Sequence, residues 1–247
     1  MRSMRTKVAV IVLAVAATTL AGCQSNDKTV TAPPPSVAPT TPSPASNGIE
    51  ALSADKILQR AKAALAEAKS FRAKGTLHQD GEKAAIDLKV SGRNFIGSVS
   101  FGKATVELLA TGGKRYLRPN KQFWIMSTNT QQGTLLAQAM GDRWVAGADE
   151  DPSFADLFTI GSLDGLFQPK EFNIGAVKEI AGVKSVGLMD FDDIEKKLFV
   201  AATGKPYPLQ LTGKDGAELT FSDFGATFTG LAAPPKSQVV DLGNLAG

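Results

Sequence analysis

The chain has little of the two residue types on which many metal and catalytic sites depend, with one cysteine and one histidine among 247 residues. A single cysteine excludes an internal disulfide and a cysteine-rich zinc or iron–sulfur site. A single histidine excludes a multi-histidine metal centre and leaves little scope for a Ser/His/Asp hydrolase. The sequence also lacks a G-x-S-x-G motif, a phosphate-binding glycine loop and a dinucleotide fingerprint. We therefore expect no enzymatic activity, no cofactor and no bound metal.

The chain is also short of net charge, with 27 Lys and Arg against 24 Asp and Glu, a formal charge of +3. Three of the cations, Arg2, Arg5 and Lys7, precede every acidic residue, so a chain starting at residue 23 has 24 of each sign. The remaining cations are interleaved with acids, and no basic stripe forms. We therefore predict no nucleic-acid partner.

An uncharged run of 14 residues, Val8–Ala21, follows these first cations. About 20 apolar residues are needed to cross a bilayer as a helix, so this run fits the apolar region of a secretory signal. It ends in Leu20-Ala21-Gly22-Cys23, which resembles the lipobox of bacterial lipoproteins, where small residues precede a cysteine that receives a diacylglyceryl group. The resemblance implies a signal peptide over residues 1–22.

The same resemblance implies cleavage between Gly22 and Cys23 and a diacylglyceryl group on Cys23, labelled for example by palmitate. Two acyl chains hold a protein stably at a membrane. We therefore expect a lipid anchor in the cell membrane, on its extracytoplasmic face. The alternative is an ordinary secretory signal followed by an inert cysteine.

A proline-rich segment separates this signal from the rest of the chain. Residues 24–48 contain six of the 13 prolines and no aromatic residue. Such a composition cannot bury enough apolar surface to fold, and it favours extended polyproline II structure. We predict a lipidated cysteine and tether over residues 23–48, with a proline-motif ligand as the alternative to a spacer. Residues 49–247 contain no second break of this kind, which predicts one domain.

That domain is predicted to open with a helix and to continue as strands. Ser53 suits an N-cap, and apolar residues recur at helical spacing from Ile57 to Ala68. From Ser70 the period changes to two, and glycine-containing turns separate the alternating runs, as is typical of an antiparallel meander. The meander is predicted to include residues 84–90, 95–101 and 106–110, extended by Tyr116 and Phe123-Trp124-Ile125. His78 is predicted to lie in a solvated turn after the first strand.

Helices are predicted to interrupt the strands in the middle of the domain. The pattern of apolar residues predicts short helices over residues 134–140, 152–158 and 162–167. Strands are predicted to resume at residues 176–180, 185–189, 197–201, 207–211 and 217–221, with a turn at Lys214-Asp215-Gly216. This order predicts an α+β domain with helices on one face of a large antiparallel sheet. Two acidic clusters, at 149–151 and 190–193, lack the ligand spacing of an EF-hand and are predicted to be solvated loops.

The C-terminal half resembles a known family. The motifs are Gly182-Val183-Lys184, Lys197–Ala201 followed by Gly204–Leu209, Glu218–Gly225 and a closing Ala233-Pro234-Pro235. With the amphipathic helix after a proline-rich tether, they resemble the actinobacterial cell-envelope lipoproteins of the LppX/LprG type over about residues 52–242. That family is similar in fold to the LolA/LolB lipid carriers. The resemblance implies a half-open β-barrel, a large curved antiparallel sheet whose concave face is covered by helices.

The resemblance also implies an apolar cavity for the acyl chains of a lipid or lipoglycan of the cell envelope. It supplies no ligand-contact motif that can be carried over residue by residue. The candidate cavity-lining residues are Ile86, Leu88, Val90, Val106, Leu108, Leu135, Leu136 and Met140. For the strand residues the alternative is ordinary core. For the helix residues, which Gly133 and Gly141 flank, a mobile lid and plain core are both open.

Two functions of different class follow from these observations. The first is a membrane-anchored, monomeric lipoprotein that binds or transfers an acylated lipid or lipoglycan, with an envelope transporter as a partner. The alternative is a non-carrier partner-binding or sensor module at the outer face of the membrane, with the same fold packed solid. A dry cavity of several hundred Å³ under the central helices would favour the carrier.

Overall fold

A computed structural model describes residues 45–79, 82–147, 152–159 and 171–241. All of these residues belong to one compact unit, Ser43–Gly247, which is the domain after the tether. The predicted signal peptide, Gly22, Cys23 and nearly all of the tether lie outside the described residues, as does the helix predicted over residues 162–167.

A single sheet of twelve strands dominates the described residues, in the order β12-β6-β5-β4-β3-β2-β1-β11-β10-β9-β8-β7. Neighbouring strands are antiparallel except for β12, which runs parallel to β6. The strands are β1 Ser70–Gln79, β2 Glu82–Ser91, β3 Asn94–Phe101, β4 Ala104–Thr111, β5 Lys114–Pro119, β6 Trp144–Ala146, β7 Phe172–Ile180, β8 Val183–Asp190, β9 Lys197–Ala201, β10 Pro208–Thr212, β11 Glu218–Ser222 and β12 Val239–Asp241. The sheet is curved and does not close, so β12 and β7 are its two edges.

The two halves of the sheet meet where β1 pairs with β11. Gly75 in β1 lies opposite Leu219, and a Cβ atom at position 75 would stand 1.9 Å from the carbonyl oxygen of Glu218. Only glycine, which has no Cβ, permits this approach of the two backbones. The N-terminal meander of β1 to β6 and the C-terminal strands β7 to β11 are thereby joined into one surface.

Within the described ranges four α-helices accompany the sheet: α1 Ala54–Ala68, α2 Lys121–Ser127, α3 Thr130–Met140 and α4 Pro152–Thr159. Helix α1 follows Ser53, as predicted, and buries its apolar stripe, which includes Ile57, Ala61 and Leu65. It packs against β1, β7 and β9, whereas α2 and α4 pack against β4. We call this helix-covered, concave side of the sheet the inner face, and the opposite side the outer face.

The predicted fold class is confirmed: an α+β domain with a large, open, mostly antiparallel sheet and helices on one face. The helices predicted over residues 134–140 and 152–158 correspond to α3 and α4. The C-terminal strands are found within a few residues of their predicted bounds, and Lys214–Gly216 forms the turn between β10 and β11.

Three local predictions are wrong. Asp190 of the acidic cluster at 190–193 does not lie in a solvated loop, because it ends strand β8 and is buried; the cluster at 149–151 lies outside the described residues. Phe123-Trp124-Ile125 is not a strand that extends the meander, because it lies within helix α2. The cause is local: the Asn120 side-chain oxygen accepts a hydrogen bond from Phe123 N (2.8 Å), which starts the helix directly after β5. His78 is not a turn residue, because β1 continues to Gln79 and pairs His78 with Lys83 of β2.

Candidate functional site

The inner face of the sheet is a continuous apolar surface built by strand alternation. In β2 the even-numbered residues from Ala84 to Val90 are buried, while their odd-numbered neighbours are more exposed. Cross-strand partners share a face, so the register places Val99 and Val106 beside Ile86 on this side. The five predicted strand residues, Ile86, Leu88, Val90, Val106 and Leu108, all lie buried on the inner face.

A glycine makes room for one of these side chains. Gly97 of β3 lies between Leu88 of β2 and Leu108 of β4 in the register. A Cβ atom at position 97 would be 2.7 Å from Leu88 Cδ2 and 2.2 Å from the Asp87 carbonyl oxygen. The leucine side chain therefore occupies the space that a larger residue at 97 would need. Leu88 thus fills the inner side of the sheet at position 97.

Helices α2 and α3 form a capped hairpin over the N-terminal strands. Asn129 accepts a hydrogen bond from Gln132 N (3.0 Å) at the start of α3, as Asn120 does for α2. Gly133 lies inside α3, not at its flank, and a Cβ atom there would be 2.5 Å from Ile125 Cα in α2. The two helix backbones are therefore in direct contact.

The three predicted helix residues lie at different depths. Met140, at the end of α3, is buried in the main core, and Leu136 is partly buried against it. Leu135 lies on the solvent-exposed side of α3, with 59% of its surface exposed. The structure thus brings seven of the eight predicted residues into the layer between helices and sheet, and Leu135 is not among them.

Aromatic residues that the sequence pattern did not single out complete this layer. The rings of Phe123 and Trp124 from α2 lie 6.3 and 6.4 Å from that of Phe154 in α4. Phe158 of α4 lies 6.2 Å from Phe95 of β3. The sequence signal for this helix is Asn120, whose side chain caps the start of the helix that contains Phe123 and Trp124. The layer is mainly apolar and joins α2 and α4 to the sheet, with the Arg115 guanidinium 5.5 Å from the centroid of the Phe158 ring.

The apolar inner face continues to the edge strand β7, where two of its apolar side chains are half exposed. Ile174 and Val177 pair with Leu188 and Val186 of β8, which are buried inner-face residues. Both β7 side chains are about half exposed, at 52% and 50%. The sequence pattern missed Ile174 because a bulge between positions 174 and 177 breaks the strand alternation.

Few of the described buried side chains are polar, and one of them, Asp190 of β8, lies on the same side of the strand as Leu188 and Val186. Among the described residues the buried polar side chains are Ser70, Ser185 and Asp190. Asp190 accepts a hydrogen bond from Asp192 N (3.0 Å) and lies 3.8 Å from Lys196 Nζ. No group of three or more His, Cys, Asp or Glu residues within the described ranges is arranged to hold a metal ion.

The outer face, by contrast, carries paired charges. Arg72 of β1 donates two hydrogen bonds to Asp87 of β2, at 2.7 Å to Oδ1 and 2.6 Å to Oδ2. This bidentate contact lowers the pKa of the Asp87 carboxyl and raises the pKa of the Arg72 guanidinium. The sheet is therefore amphipathic, with an apolar face toward the helices and a charged face toward solvent.

No described helix is long and apolar enough to cross a membrane. No protein-family model matches the chain, and no curated protein matches it. Among solved structures, the chain is similar to a crystal structure of an uncharacterized conserved protein from Thermus thermophilus. The two are 13% identical, the match covers 76% of this chain and 98% of that chain, and the TM-score is 0.39. A TM-score this low supports no conclusion about fold or function.

Proposed function

We propose that the protein is a membrane-anchored, non-enzymatic lipoprotein that binds or transfers an acylated lipid or lipoglycan of the cell envelope. The acyl chains would lie between the inner face of the sheet and the helices, and leave the layer at the β7 edge. Three features support this proposal: an open sheet, an apolar inner face without charged groups at its centre, and coverage of that face by short helices.

The observation that carries the proposal is the half-exposed pair Ile174 and Val177. Side chains on the inner face of a sheet normally gain their stabilisation from burial, at about 25 cal/mol for each Å² of apolar surface. Their partners Leu188 and Val186 are buried, so the apolar surface runs without interruption from the core to the edge. An acyl chain laid along β7 would cover this surface. Each CH₂ group that leaves water would contribute about 0.8 kcal/mol.

The predicted lipid anchor at Cys23 fits the same function. A carrier of envelope lipids needs access to a membrane surface, and a diacylglyceryl anchor supplies it. The proline-rich tether of residues 24–48 would let the domain move away from the bilayer by tens of Å, at about 3 Å per extended residue. Anchor and tether together would keep the carrier at the extracytoplasmic face while its ligand is loaded or released.

The test is equilibrium binding of a fluorescent acyl probe to a chain of residues 24–247, which retains every described strand and helix. Val177→Asn places a polar group on the inner side of the β7 edge. The control is Ala176→Asn, which introduces the same side chain one position earlier in β7. Ala176 borders Gly187 on the outer face of the sheet. We expect Val177→Asn to weaken probe binding about fivefold, the effect of losing roughly 1 kcal/mol of apolar contact. We expect Ala176→Asn to bind like the wild type.

Two results would contradict the proposal. If the wild-type chain does not bind the probe at all, the carrier function is wrong. If Val177→Asn and Ala176→Asn bind equally well, the β7 edge is not where the acyl chain lies. Circular dichroism of both variants would establish that the sheet is retained.

One observation favours the alternative, a partner-binding module. Phe191 and Ile194, in the connection between β8 and β9, are 64% and 66% exposed. Exposed apolar side chains on a loop are typical of protein-binding surfaces. Replacing both by Ser should leave acyl-probe binding unchanged if the protein is a carrier. If no probe binds and these two residues are required for retention of an envelope protein, the module is the better account.

A further inference from the structure

One indole group in the apolar layer has no hydrogen-bond partner. Trp124 of α2 is 4% exposed, and its Nε1 atom is fully buried with no acceptor within reach among the described residues. An indole N–H can only donate. A buried donor without an acceptor has lost its hydrogen bonds to water and gained none in return, which destabilises the folded chain. Such a group calls for an explanation.

The surroundings of Trp124 do not provide one. Its backbone N–H donates to the Asn120 carbonyl (3.2 Å), and its own carbonyl accepts from Thr128 Oγ1 (2.7 Å). The ring itself packs edge-on against Phe154 of α4 and belongs to the main apolar core. A phenylalanine at this position would fill much of the same space without an unsatisfied donor. The indole N–H is thus a buried, unpaired donor in a layer lined mainly by apolar side chains.

The second tryptophan provides an internal comparison. Trp144 of β6 lies in a separate small cluster with Leu109 and Tyr116. Arg118 covers its ring at 4.6 Å from the ring centroid. The one other buried side-chain atom without a partner in the described part of the chain is Gln210 Oε1, an acceptor on β10. Among the described residues, the Trp124 indole N–H is therefore the buried side-chain donor without an acceptor, and it lies in the layer proposed to hold acyl chains.

We propose that Trp124 donates its indole N–H to the carbonyl oxygen of an acyl ester or amide in the bound ligand. This inference rests on the proposed carrier function and makes it more specific. The ligand would be held by its acyl linkage as well as by its hydrocarbon chain. A neutral ester or amide carbonyl suits the site, because the indole N–H is a single uncharged donor, whereas a buried carboxylate would need a cation or several donors.

The experiment compares two uncharged ligands of equal chain length, methyl laurate and tetradecane, on the chain of residues 24–247. The protein has two tryptophans, so its ¹H–¹⁵N spectrum contains two indole signals. Trp124→Phe and Trp144→Phe assign them. We expect methyl laurate to move the Trp124 indole proton downfield and to leave Trp144 in place. Tetradecane, which has no acceptor, should bind without this downfield shift.

Affinity supplies an independent readout. Trp124→Phe should weaken methyl laurate binding about fivefold, as expected for one hydrogen bond of about 1 kcal/mol, and leave tetradecane binding nearly unchanged. Trp144→Phe should change neither. If methyl laurate binds without moving the Trp124 indole signal, Trp124 does not recognise the carbonyl, whereas the carrier function stands. If neither ligand binds the wild type, the carrier function is wrong and this inference fails with it.

Discussion

Gly133 of α3 lies directly against the backbone of Ile125 in α2, so close that a Cβ atom at position 133 would be 2.5 Å from Ile125 Cα and N. From the sequence, Gly133 was expected to flank a helix for which a mobile lid and plain core were both open. The contact instead makes it the point where two helices pack together, each begun by an asparagine cap. Any opening of the layer in this region would have to move α2 and α3 as a pair.

Gly133→Ala is therefore expected to destabilise the protein. Alanine favours a helix over glycine by about 1 kcal/mol, but the added methyl would overlap backbone atoms that cannot move aside as a side chain can. Overpacking of this kind costs about 1–3 kcal/mol, so we expect a net loss in the free energy of unfolding. Urea denaturation measures it. Gln131→Ala, at an exposed position of the same helix, is the control, and a stabilised Gly133→Ala variant would contradict the contact.

Leu88 and Leu135 should respond very differently to truncation, although the sequence placed both among the candidate lining residues. Leu88 is buried against Gly97, and Leu88→Ala should cost about 2–5 kcal/mol of unfolding free energy. Leu135 is largely exposed, and Leu135→Ala should stay within about 0.5 kcal/mol of the wild type. Equal losses in thermal or urea denaturation would show that one of these placements is wrong.

The Arg72–Asp87 pair predicts an acid-sensitive contribution to stability. The pKa of Asp87 is lowered in the folded protein, chiefly by its hydrogen bond from Arg72. The contribution is therefore fully present above the unfolded-state pKa of about 3.9 and is lost as the pH falls through the lower folded-state pKa. About a third of each side chain is exposed, so we expect Asp87→Asn to cost less than about 1 kcal/mol at pH 7.

The difference in unfolding free energy between wild type and Asp87→Asn should shrink as the pH is lowered below about 4. Denaturation at a series of pH values measures it. Glu218→Gln is the control, because it removes an exposed carboxyl on β11 for which the described residues provide no ion pair. A difference for Asp87→Asn that stays constant with pH would mean that the carboxylate is not stabilised by Arg72.

The sequence was sufficient for most of the fold because the strands show their burial directly. In β2, the buried residues Ile86, Leu88 and Val90 alternate with Asp87 and Lys89. Because successive side chains of a strand point to opposite faces, this alternation predicts which residues lie on each face of the sheet. Helix α1 was equally legible from its apolar spacing. Where the spacing of apolar residues in the sequence matches the burial of the strand or helix, the sequence alone predicts the element.

The remaining elements depend on contacts that no local pattern contains. Phe123-Trp124-Ile125 has the composition of a strand, and its helix forms because Asn120 caps it and Gly133 packs on it. The pairing of β1 with β11 joins segments more than a hundred residues apart, made possible by Gly75. The unsatisfied indole of Trp124 emerges only when its neighbours are known.

The predicted lipid anchor has its own test. Cys23→Ala removes the thiol that would carry the diacylglyceryl group, so the protein should leave the membrane fraction and lose labelling by palmitate. Ser36→Ala, in the tether, should leave both unchanged. A Cys23→Ala variant that stays in the membrane fraction with its label would contradict lipidation at this residue.

The most direct measurement of the carrier function is native mass spectrometry of a chain of residues 24–247, exported to a bacterial envelope and purified without detergent. We expect part of the protein to carry an additional mass, which an organic extract identifies as an acylated lipid. Val177→Asn should carry less of it than Ala176→Asn. A bare protein mass and an extract free of lipid would contradict the proposed function.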